Sequence, residues 1–327
     1  MKVKIFTEAS PMIGFGHAVR CSSLYQELKG RDVQAEFIVN GESSIQGILP
    51  NVTMTFADWL NESYLLEHLK DADYAIIDSY LASSEIYQLI SERTRRALYI
   101  DDYQRIRYPK GVILNPVSGE ENFEYCKDND EIEVLTGWEY ILLRPEFIEY
   151  ETDETEEENA VLLLSGGTDA LNIASNMARL LSEYNPSWHI NVVGNGRSHG
   201  MESLKNATFH GPLTARELKR LMLHSKYIIS AAGQTLFELL YLNKVFLPLV
   251  VIENQKNNIE VLHNIFPEML SVDVRTYLSP IQEIINVLPV FLSAKYREEF
   301  NRILDPLVDG LGAKRVIEHL FLVDDKR

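Results

Sequence analysis

Residues 2–39 carry the pattern that decides the fold: KVKIFTEASPMIGFGHAVRCSSLYQELKGRDVQAEFIV. A short apolar strand pattern, Lys2–Phe6, is followed by a glycine-bearing turn and a helix pattern from about His17 to Lys29. A second strand pattern follows at Ala35–Val39. Strand, helix and strand in this order predict a βαβ unit, the building block of a parallel sheet covered by helices.

The same alternation continues and then repeats after an acidic block. Further patterns in the first half lie at Tyr74–Ile77, Ala97–Ile100 and Val112–Leu114 for strands and at about Ser83–Arg93 for a helix. Seven of the ten residues in Glu149–Glu158 are Asp or Glu, which indicates a solvated, self-repelling linker. We therefore expect a first domain at residues 1–150 and a second at 151–327.

The second half has its own series of alternating strands and helices. Its strand patterns are Val161–Leu164, His189–Val193, Tyr227–Ile229 and Val245–Val251, and its helix patterns are about Ala170–Glu183, Ala215–Leu223 and Thr235–Leu242. Closing helices, assigned to the second domain, are expected at about Pro280–Asn286, Pro289–Leu304 and Ala313–Phe321. Together the patterns predict an α/β protein with two doubly wound, Rossmann-like domains that face a cleft, where the carboxyl ends of the strands bind ligands.

Length, composition and charge exclude several classes of protein. The 327 residues fit about two domains, and 46% hydrophobic with 24% charged residues is ordinary for a globular chain. The sequence has no 18-residue apolar stretch, and we expect a cytoplasmic protein without stable membrane insertion. A net charge of −17 argues against a general nucleic-acid binder. Two cysteines, Cys21 and Cys126, and eight scattered histidines predict no metal site, and no other cofactor is expected.

The loop after the first strand, Gly14-Phe-Gly-His-Ala-Val-Arg20, is the strongest candidate for chemistry. It lacks the third glycine of a dinucleotide fingerprint and the GK[ST] of a phosphate-binding NTPase loop. His17 stands at the start of a helix, whose positive end favours the neutral imidazole that can accept a proton. A capping or packing histidine is the alternative interpretation.

Three loops of the second half also follow strands and precede helices. Gly166, Gly167 and Thr168 offer backbone N–H groups at a helix start, which suits a phosphate, although an ordinary βα turn has the same composition. In the segment 230–238, SAAGQTLFE, small residues permit close approach of a ligand, and Glu238 could accept hydrogen bonds from the two hydroxyls of a ribose or be a solvated surface residue. The amides of the segment 253–258, ENQKNN, could bind a sugar or cap a helix.

These motifs resemble, in this order and over residues 1 to 265, a family of nucleotide-sugar enzymes with the GT-B fold. The family comprises the UDP-sugar hydrolases of pseudaminic acid biosynthesis and the related spore-coat polysaccharide proteins. The segments that carry the resemblance are GFGHAVR (14–20), IIDSY (76–80), YIDDY (99–103), GWEYILLRPEF (137–147), SGGTD (165–169), ISAAGQTLFELLYLNK (229–244) and ENQ (253–255). The sequence departs from the family at three positions: the family often has His where Ser79 stands, and Gln-Asn where Pro116 and Val117 stand. The resemblance therefore supports UDP as the nucleotide more strongly than it supports a particular sugar.

The resemblance implies inverting, metal-independent hydrolysis at the anomeric carbon, releasing UDP and a free deoxyamino sugar. His17 would be the base that activates water. The substrate-binding residues would be Gly14, Gly16, Arg20, Asp78, Tyr80 and Asn115 in the first half and Gly166, Gly167, Thr168, Ala232, Gly233, Thr235, Glu238, Asn254 and Gln255 in the second. Two alternatives stay open: a glycosyltransferase with a UDP-sugar donor, and a noncatalytic nucleotide-sugar binding protein. The oligomeric state is also open.

Overall fold

The computed structural model describes residues 1–10, 13–117, 125, 130–149, 155–164, 173–194, 204–276, 279–304 and 307–322. The chain divides into two compact units. Unit 1 comprises Met1–Pro145 and Asp309–Arg327, and unit 2 comprises Glu146–Val308.

Each unit contains one parallel sheet. The strands of unit 1 are β1 (Lys2–Ala9), β2 (Gln34–Gly41), β3 (Met54–Phe56), β4 (Tyr74–Asp78), β5 (Arg96–Ile100), β6 (Gly111–Leu114) and β7 (Ile132–Leu135). Those of unit 2 are β8 (Glu157–Leu164), β9 (His189–Val193), β10 (Ala207–His210), β11 (Ser225–Ala231), β12 (Phe246–Val250) and β13 (Val272–Asp273). The spatial orders are β3-β2-β1-β4-β5-β6-β7 and β10-β9-β8-β11-β12-β13. Both orders reverse direction once, between β1 and β4 and between β8 and β11, which confirms the predicted doubly wound α/β fold.

The helices connect these strands. They are α1 (Gly16–Gly30), α2 (Glu62–Leu69), α3 (Ser84–Arg93), α4 (Pro145–Ile148), α5 (Ile173–Tyr184), α6 (Ala215–His224), α7 (Gln234–Tyr241), α8 (Lys256–Ile265), α9 (Pro280–Phe291), α10 (Ala294–Leu304) and α11 (Gly312–Phe321). Short 3-10 turns lie at Ser43–Gly47, Trp138–Tyr140 and Glu253–Gln255. Within the part of the chain that the structure describes, no helix is long and apolar enough to cross a membrane.

Strand β1 is buried on both faces from Val3 to Ala9, although Lys4, Thr7 and Glu8 are polar or charged. Val3 and Ile5 pack in the core cluster that contains α1 and α11, whereas Phe6 lies in the cluster on the opposite face, with its ring centroid 5.4 Å from that of Trp59. Full burial of each such side chain stabilises the fold by roughly 1.5 to 3 kcal/mol. A polar residue in this strand must therefore find hydrogen-bond partners inside the protein.

The last helix, α11, packs in unit 1, whereas the predicted domain boundaries put all three closing helices in the second domain. Val316, Ile317 and Leu320 are fully buried in the same core cluster as α1. At the start of α11, a Cβ on Gly312 would lie 2.1 Å from the carbonyl oxygen of Ile141, so this close approach requires glycine. The sequence pattern gives α11 an apolar face, but it does not say which sheet that face covers.

The boundary between the units, at Pro145 and Glu146, comes before the predicted acidic linker Glu149–Glu158, which falls within the range of unit 2. Strand β8 begins at Glu157. Glu156 lies 2.7 Å from Lys244 Nζ and 3.2 Å from an Arg297 guanidinium nitrogen, and Lys226 pairs with Glu158. The prediction of a solvated linker assumed that its acidic side chains repel one another. These basic side chains compensate that repulsion.

Helix α9 also differs from its prediction, which placed a boundary before Pro289. The helix continues through Pro289 to Phe291. Ile284, Leu288 and Phe291 are all buried on one side, and the backbone N–H of Leu292 still donates to the carbonyl oxygen of Leu288. Proline removes one helical hydrogen bond near the end of the helix, and the burial of Phe291 offsets that loss.

Candidate active site

The turn between β1 and α1 places His17 in the first turn of that helix. Gly14 has φ of +91°, a conformation that favours glycine, and its backbone N–H donates to the carbonyl oxygen of Ser10 at 2.8 Å. A Cβ at Gly14 or at Gly16 would meet no atom within 4 Å. The backbone of both predicted glycines is thus left open on the side where a side chain would lie.

His17 is held by a buried carboxylate from the next strand of the sheet. Its Nδ1 lies 2.6 Å from Oδ1 of Asp78, the last residue of β4, and only 7% of the His17 side chain is exposed. An ionised carboxylate can only accept hydrogen bonds, so Nδ1 carries the proton in a neutral ring. The lone pair of the neutral imidazole is therefore on Nε2. Among the residues that the structure describes, no hydrogen-bond partner reaches Nε2.

Arg20 joins Asp78 to a second aspartate, Asp102. Arg20 Nη2 donates to Asp78 Oδ1 at 2.8 Å, Nε donates to Asp78 Oδ2, and Nη1 donates to Asp102 Oδ1 at 2.6 Å. Burial disfavours the charged carboxylate, but the charge of Arg20 and the hydrogen bonds from Arg20 and His17 outweigh it and hold the pKa of Asp78 well below its usual range. Burial likewise opposes ionisation of Asp102, and Arg20 lowers its pKa overall. Arg20 is thus an ion-pair partner of both aspartates, and its predicted contact with substrate stays a prediction.

A further carboxylate, Glu8, lies on the other side of the imidazole. Glu8 is the next-to-last residue of β1 and is fully buried. Its Oε1 lies 3.8 Å from His17 Nε2. Oε1 accepts a hydrogen bond from the Tyr80 backbone N–H at 2.7 Å, and Oε2 accepts one from Ser79 Oγ at 2.6 Å. Both ring nitrogens of His17 therefore face carboxylates.

Tyr80 covers His17, and Asn115 lies in a neighbouring network. The Tyr80 ring packs edge-on against the imidazole with centroids 4.3 Å apart, and its hydroxyl donates to Asp102. Asn115 is buried, and its Nδ2 donates to the hydroxyl of Tyr125 at 3.1 Å, which in turn donates to Asp101. The structure thus brings His17, Arg20, Asp78 and Tyr80 of the predicted set together in one cluster.

In unit 2, two predicted loops meet at the carboxyl ends of β11 and β12. The carboxamide oxygen of Gln255 accepts a hydrogen bond from the backbone N–H of Val251 at 2.8 Å, so the side chain fixes its own turn. A Cβ on Gly233 would lie 3.6 Å from Gln255 Nε2, and Asn258 Nδ2 donates to the Ala232 carbonyl oxygen at 2.8 Å. These contacts place the small residues of one loop beside the amides of the other.

Glu238 lies inside α7 and is fully buried, which excludes the alternative of a solvated surface glutamate. Thr235 lies at the start of the same helix and Asn254 in the 3-10 turn Glu253–Gln255, and both are half-buried. The predicted phosphate loop, Gly166, Gly167 and Thr168, lies outside the described residues.

Sequence reasoning missed Glu8 and Asp102 as parts of the His17 cluster. A signal for Glu8 was available, because a carboxylate near the carboxyl end of the central parallel strand is expected to be buried and then needs hydrogen-bond partners. Asp102 lies in the quoted YIDDY motif, and its contact with Arg20 depends on the order of the strands. For metals, the described residues contain no group of three or more His, Cys, Asp or Glu side chains that could hold an ion. Metal independence remains a prediction.

Solved structures define the class of fold. Over 99% of the chain, the structure matches MurG of Acinetobacter baumannii with a TM-score of 0.64 at 12% identity, covering all of that protein. It also matches the UDP-GlcNAc 2-epimerase of Neisseria meningitidis, solved with UDP-GlcNAc, over 98% of the chain and all of that protein, with a TM-score of 0.67 at 14% identity. The chain therefore has the two-domain GT-B fold of these glycosyltransferases and epimerases.

Curated relatives are similar in sequence at a low level, and no family model matches the chain. A Helicobacter pylori protein named pseudaminic acid cytidylyltransferase and UDP-2,4-diacetamido-2,4,6-trideoxy-β-L-altropyranose hydrolase is 26% identical over 259 residues, 78% of this chain. The Campylobacter jejuni protein named for that hydrolase alone is 24% identical over 269 residues, covering 79% of this chain and 94% of the relative. An uncharacterised protein of Methanocaldococcus jannaschii is 22% identical over 303 residues, 86% of this chain. The chain spans 45% of the Helicobacter protein and 61% of the Methanocaldococcus protein.

Proposed function

We propose that this protein is a nucleotide-sugar hydrolase that releases UDP and a free 2,4-diacetamido-2,4,6-trideoxy-hexose. The reaction would serve the biosynthesis of a pseudaminic-type acid or a surface polysaccharide in the cytoplasm. The names of the Helicobacter and Campylobacter relatives support this substrate class, and the GT-B fold supports a UDP-sugar as the ligand.

One observation carries the proposal: His17 is buried and held through Nδ1, so the basic lone pair is on Nε2. A general base needs a positioned acceptor atom for the proton that it removes. Nε2 of His17 would take a proton from water while the water oxygen attacks the anomeric carbon. The bond between that carbon and the phosphate oxygen breaks, and the electron pair leaves with UDP. Attack from the opposite face gives inversion.

Asp78 and Arg20 hold the base in this state rather than binding substrate. Asp78 fixes the Nδ1–H form of the ring and stabilises the imidazolium that forms when the proton arrives. Arg20 keeps Asp78 ionised, since its guanidinium donates to both carboxylate oxygens. A pyrophosphate is already a good leaving group, so a base and electrostatic stabilisation of UDP suffice, without a cofactor.

We assign the nucleotide to unit 2. Glu238 would accept hydrogen bonds from the ribose hydroxyls, and the open backbone around Gly233 would lie against the ligand. Gly166, Gly167 and Thr168 stay candidates for the diphosphate because they precede a predicted helix start.

A glycosyltransferase is the second candidate, since MurG has the same fold. It would use the same donor but pass the sugar to an acceptor other than water. A noncatalytic nucleotide-sugar binding protein is the third candidate, and a base such as His17 would be superfluous in it.

The test is incubation with a panel of UDP-sugars in ¹⁸O-labelled water, without an acceptor, followed by mass spectrometry of both products. We expect rapid UDP release from a diacetamido-trideoxy sugar, with the label in the sugar and none in UDP. Label in UDP would mean attack at phosphorus. UDP release only after addition of an acceptor would favour the glycosyltransferase, and binding without release would favour the noncatalytic protein.

A further inference from the structure

Glu8 is a buried carboxylate whose charge the hydrolysis scheme does not use. It lies in the central strand β1 with no exposed surface. Burying a carboxylate is unfavourable unless hydrogen bonds and a positive partner compensate it. The groups around Glu8 must therefore compensate the cost of burying its carboxylate.

The hydrogen bonds around Glu8 identify it as an acceptor on both oxygens. Ser79 Oγ accepts hydrogen bonds from the backbone N–H groups of Leu81 and Ala82, both at 3.0 Å, so its own proton is directed to Glu8 Oε2. The Tyr80 backbone N–H donates to Oε1. A protonated Glu8 would have no acceptor among these groups, and the arrangement fits the ionised form.

The two carboxylates beside His17 differ in their positive partners. Asp78 is ion-paired with Arg20 whether or not the imidazole is charged. Glu8 is hydrogen-bonded by neutral donors, and in the described part of the chain the group within 4 Å of it that can become positive is His17 Nε2, at 3.8 Å. Glu8 consequently gains a charge partner only when Nε2 is protonated.

We propose that Glu8 is a positioning residue that stabilises His17 in the protonated state formed as water attacks. This role rests on the proposed function. Glu8 takes no proton itself: the proton passes from water to Nε2, and the positive charge of the resulting imidazolium lies close to Glu8 Oε1, which is 3.8 Å from Nε2. The same carboxylate holds the Ser79–Leu81 turn, which presents Tyr80 to the imidazole ring.

The test is Glu8→Gln, which removes the charge but keeps the shape and an oxygen acceptor for the Tyr80 backbone. We expect kcat for UDP release to fall roughly 10- to 100-fold with KM changed less than about threefold, because the loss affects a charge formed only in the transition state. Glu36→Gln is the matched control: this residue lies on β2, pairs with Lys4 and is partly exposed. It should leave both constants unchanged.

A double variant separates an effect through His17 from a merely structural one. In the His17→Asn background, Glu8→Gln should cause no further loss of kcat. An equal loss in both backgrounds would overturn the role of Glu8, as would a fully active Glu8→Gln protein. If Glu8→Gln fails to fold by circular dichroism, Glu8→Asp replaces it: retained charge should retain more than a tenth of wild-type kcat, and a greater loss in a folded protein would overturn the role. Absence of UDP release by the wild-type protein from every sugar of the panel would overturn the proposed function and this role together.

Discussion

His17 Nδ1 and Asp78 Oδ1 lie 2.6 Å apart, although 61 positions separate the two residues in the sequence. The contact follows from the parallel pairing of β1 with β4, in which Thr7 is opposite Asp78. The carboxyl end of β4 thus lies beside the first turn of α1, the helix that follows β1 in the chain. This hydrogen bond leaves Nε2 of His17 as the basic nitrogen, and the predictions for His17 and Asp78 depend on it.

Replacing His17 with Asn should abolish the base and leave nucleotide binding intact. We expect UDP affinity in calorimetry to stay unchanged, while kcat for UDP release falls roughly 10²- to 10⁴-fold. His68→Asn is the control, since His68 lies in α2 and contacts the backbone oxygen of Tyr64. A fully active His17→Asn protein would mean that the histidine is structural.

Asp78→Asn should change the tautomer of His17. Both Asp78 oxygens accept hydrogen bonds, from His17 and Arg20, so an Asn amide must turn its NH₂ group towards one of these donors. When the NH₂ group of the Asn side chain faces His17, the ring proton moves to Nε2, and this nitrogen can no longer accept a proton from water. We expect kcat to fall roughly 10²- to 10⁴-fold, with the change of tautomer visible in imidazole ¹⁵N shifts. The exposed Asp58→Asn serves as control, and an unaltered tautomer with unaltered kcat would remove Asp78 from the mechanism.

The ion pairs of Arg20 should make the free energy of unfolding depend on pH in the acidic range. The pKa values of Asp78 and Asp102 lie below those of the unfolded chain, so their stabilisation is present above an unfolded pKa of about 4 and is lost as pH falls through the folded values. Arg20→Gln removes the positive charge that Asp78 and Asp102 share. The free energy of unfolding at pH 7, from urea titration, should drop by about 3 to 5 kcal/mol, and its decrease between pH 4 and pH 2 should become shallower.

The control for this experiment is Arg31→Gln, which breaks partly exposed pairs with Glu27 and Glu318. Such a pair contributes about 1 kcal/mol or less. Equal losses of stability in the two variants would show that the buried ion pairs of Arg20 are no stronger than a surface pair.

Glu238→Gln should weaken the binding of UDP by roughly 1 to 3 kcal/mol, the usual effect of losing a hydrogen bond to a charged group. The loss should be equal for uridine and UDP in calorimetry, because the proposed contact is with the ribose. Glu260→Gln, at an exposed position of α8, is the control. Unchanged affinity for both ligands would exclude Glu238 from the nucleotide site.

Turnover should survive removal of divalent cations. Dialysis against EDTA should leave kcat within about twofold, since amide-rich turns and helix starts can bind a diphosphate without a metal ion. The measurement is UDP release before and after dialysis, and then with added magnesium or manganese. Loss of turnover that either ion restores would contradict metal independence.

The sequence by itself determined the local elements and the loops worth attention. Apolar periodicity and turn residues act within a few positions, so the βαβ pattern of residues 2–39 already predicts β1, α1 and β2. His17 was identifiable for the same reason, since a helix start after a parallel strand is defined locally. Short edge strands such as β3 and β13 lack such a pattern and were missed, because two or three residues cannot establish a period.

Only the tertiary structure decided which side chains meet. Glu8 reaches the His17 cluster from β1 and Asp102 from the loop after β5, and Arg20 is neutralised by aspartates 58 and 82 positions away. The helix α11 returns to unit 1 from the far end of the chain. These contacts follow from strand order and register, which depend on how whole faces of helices and sheets pack, and no spacing within one segment of sequence encodes them.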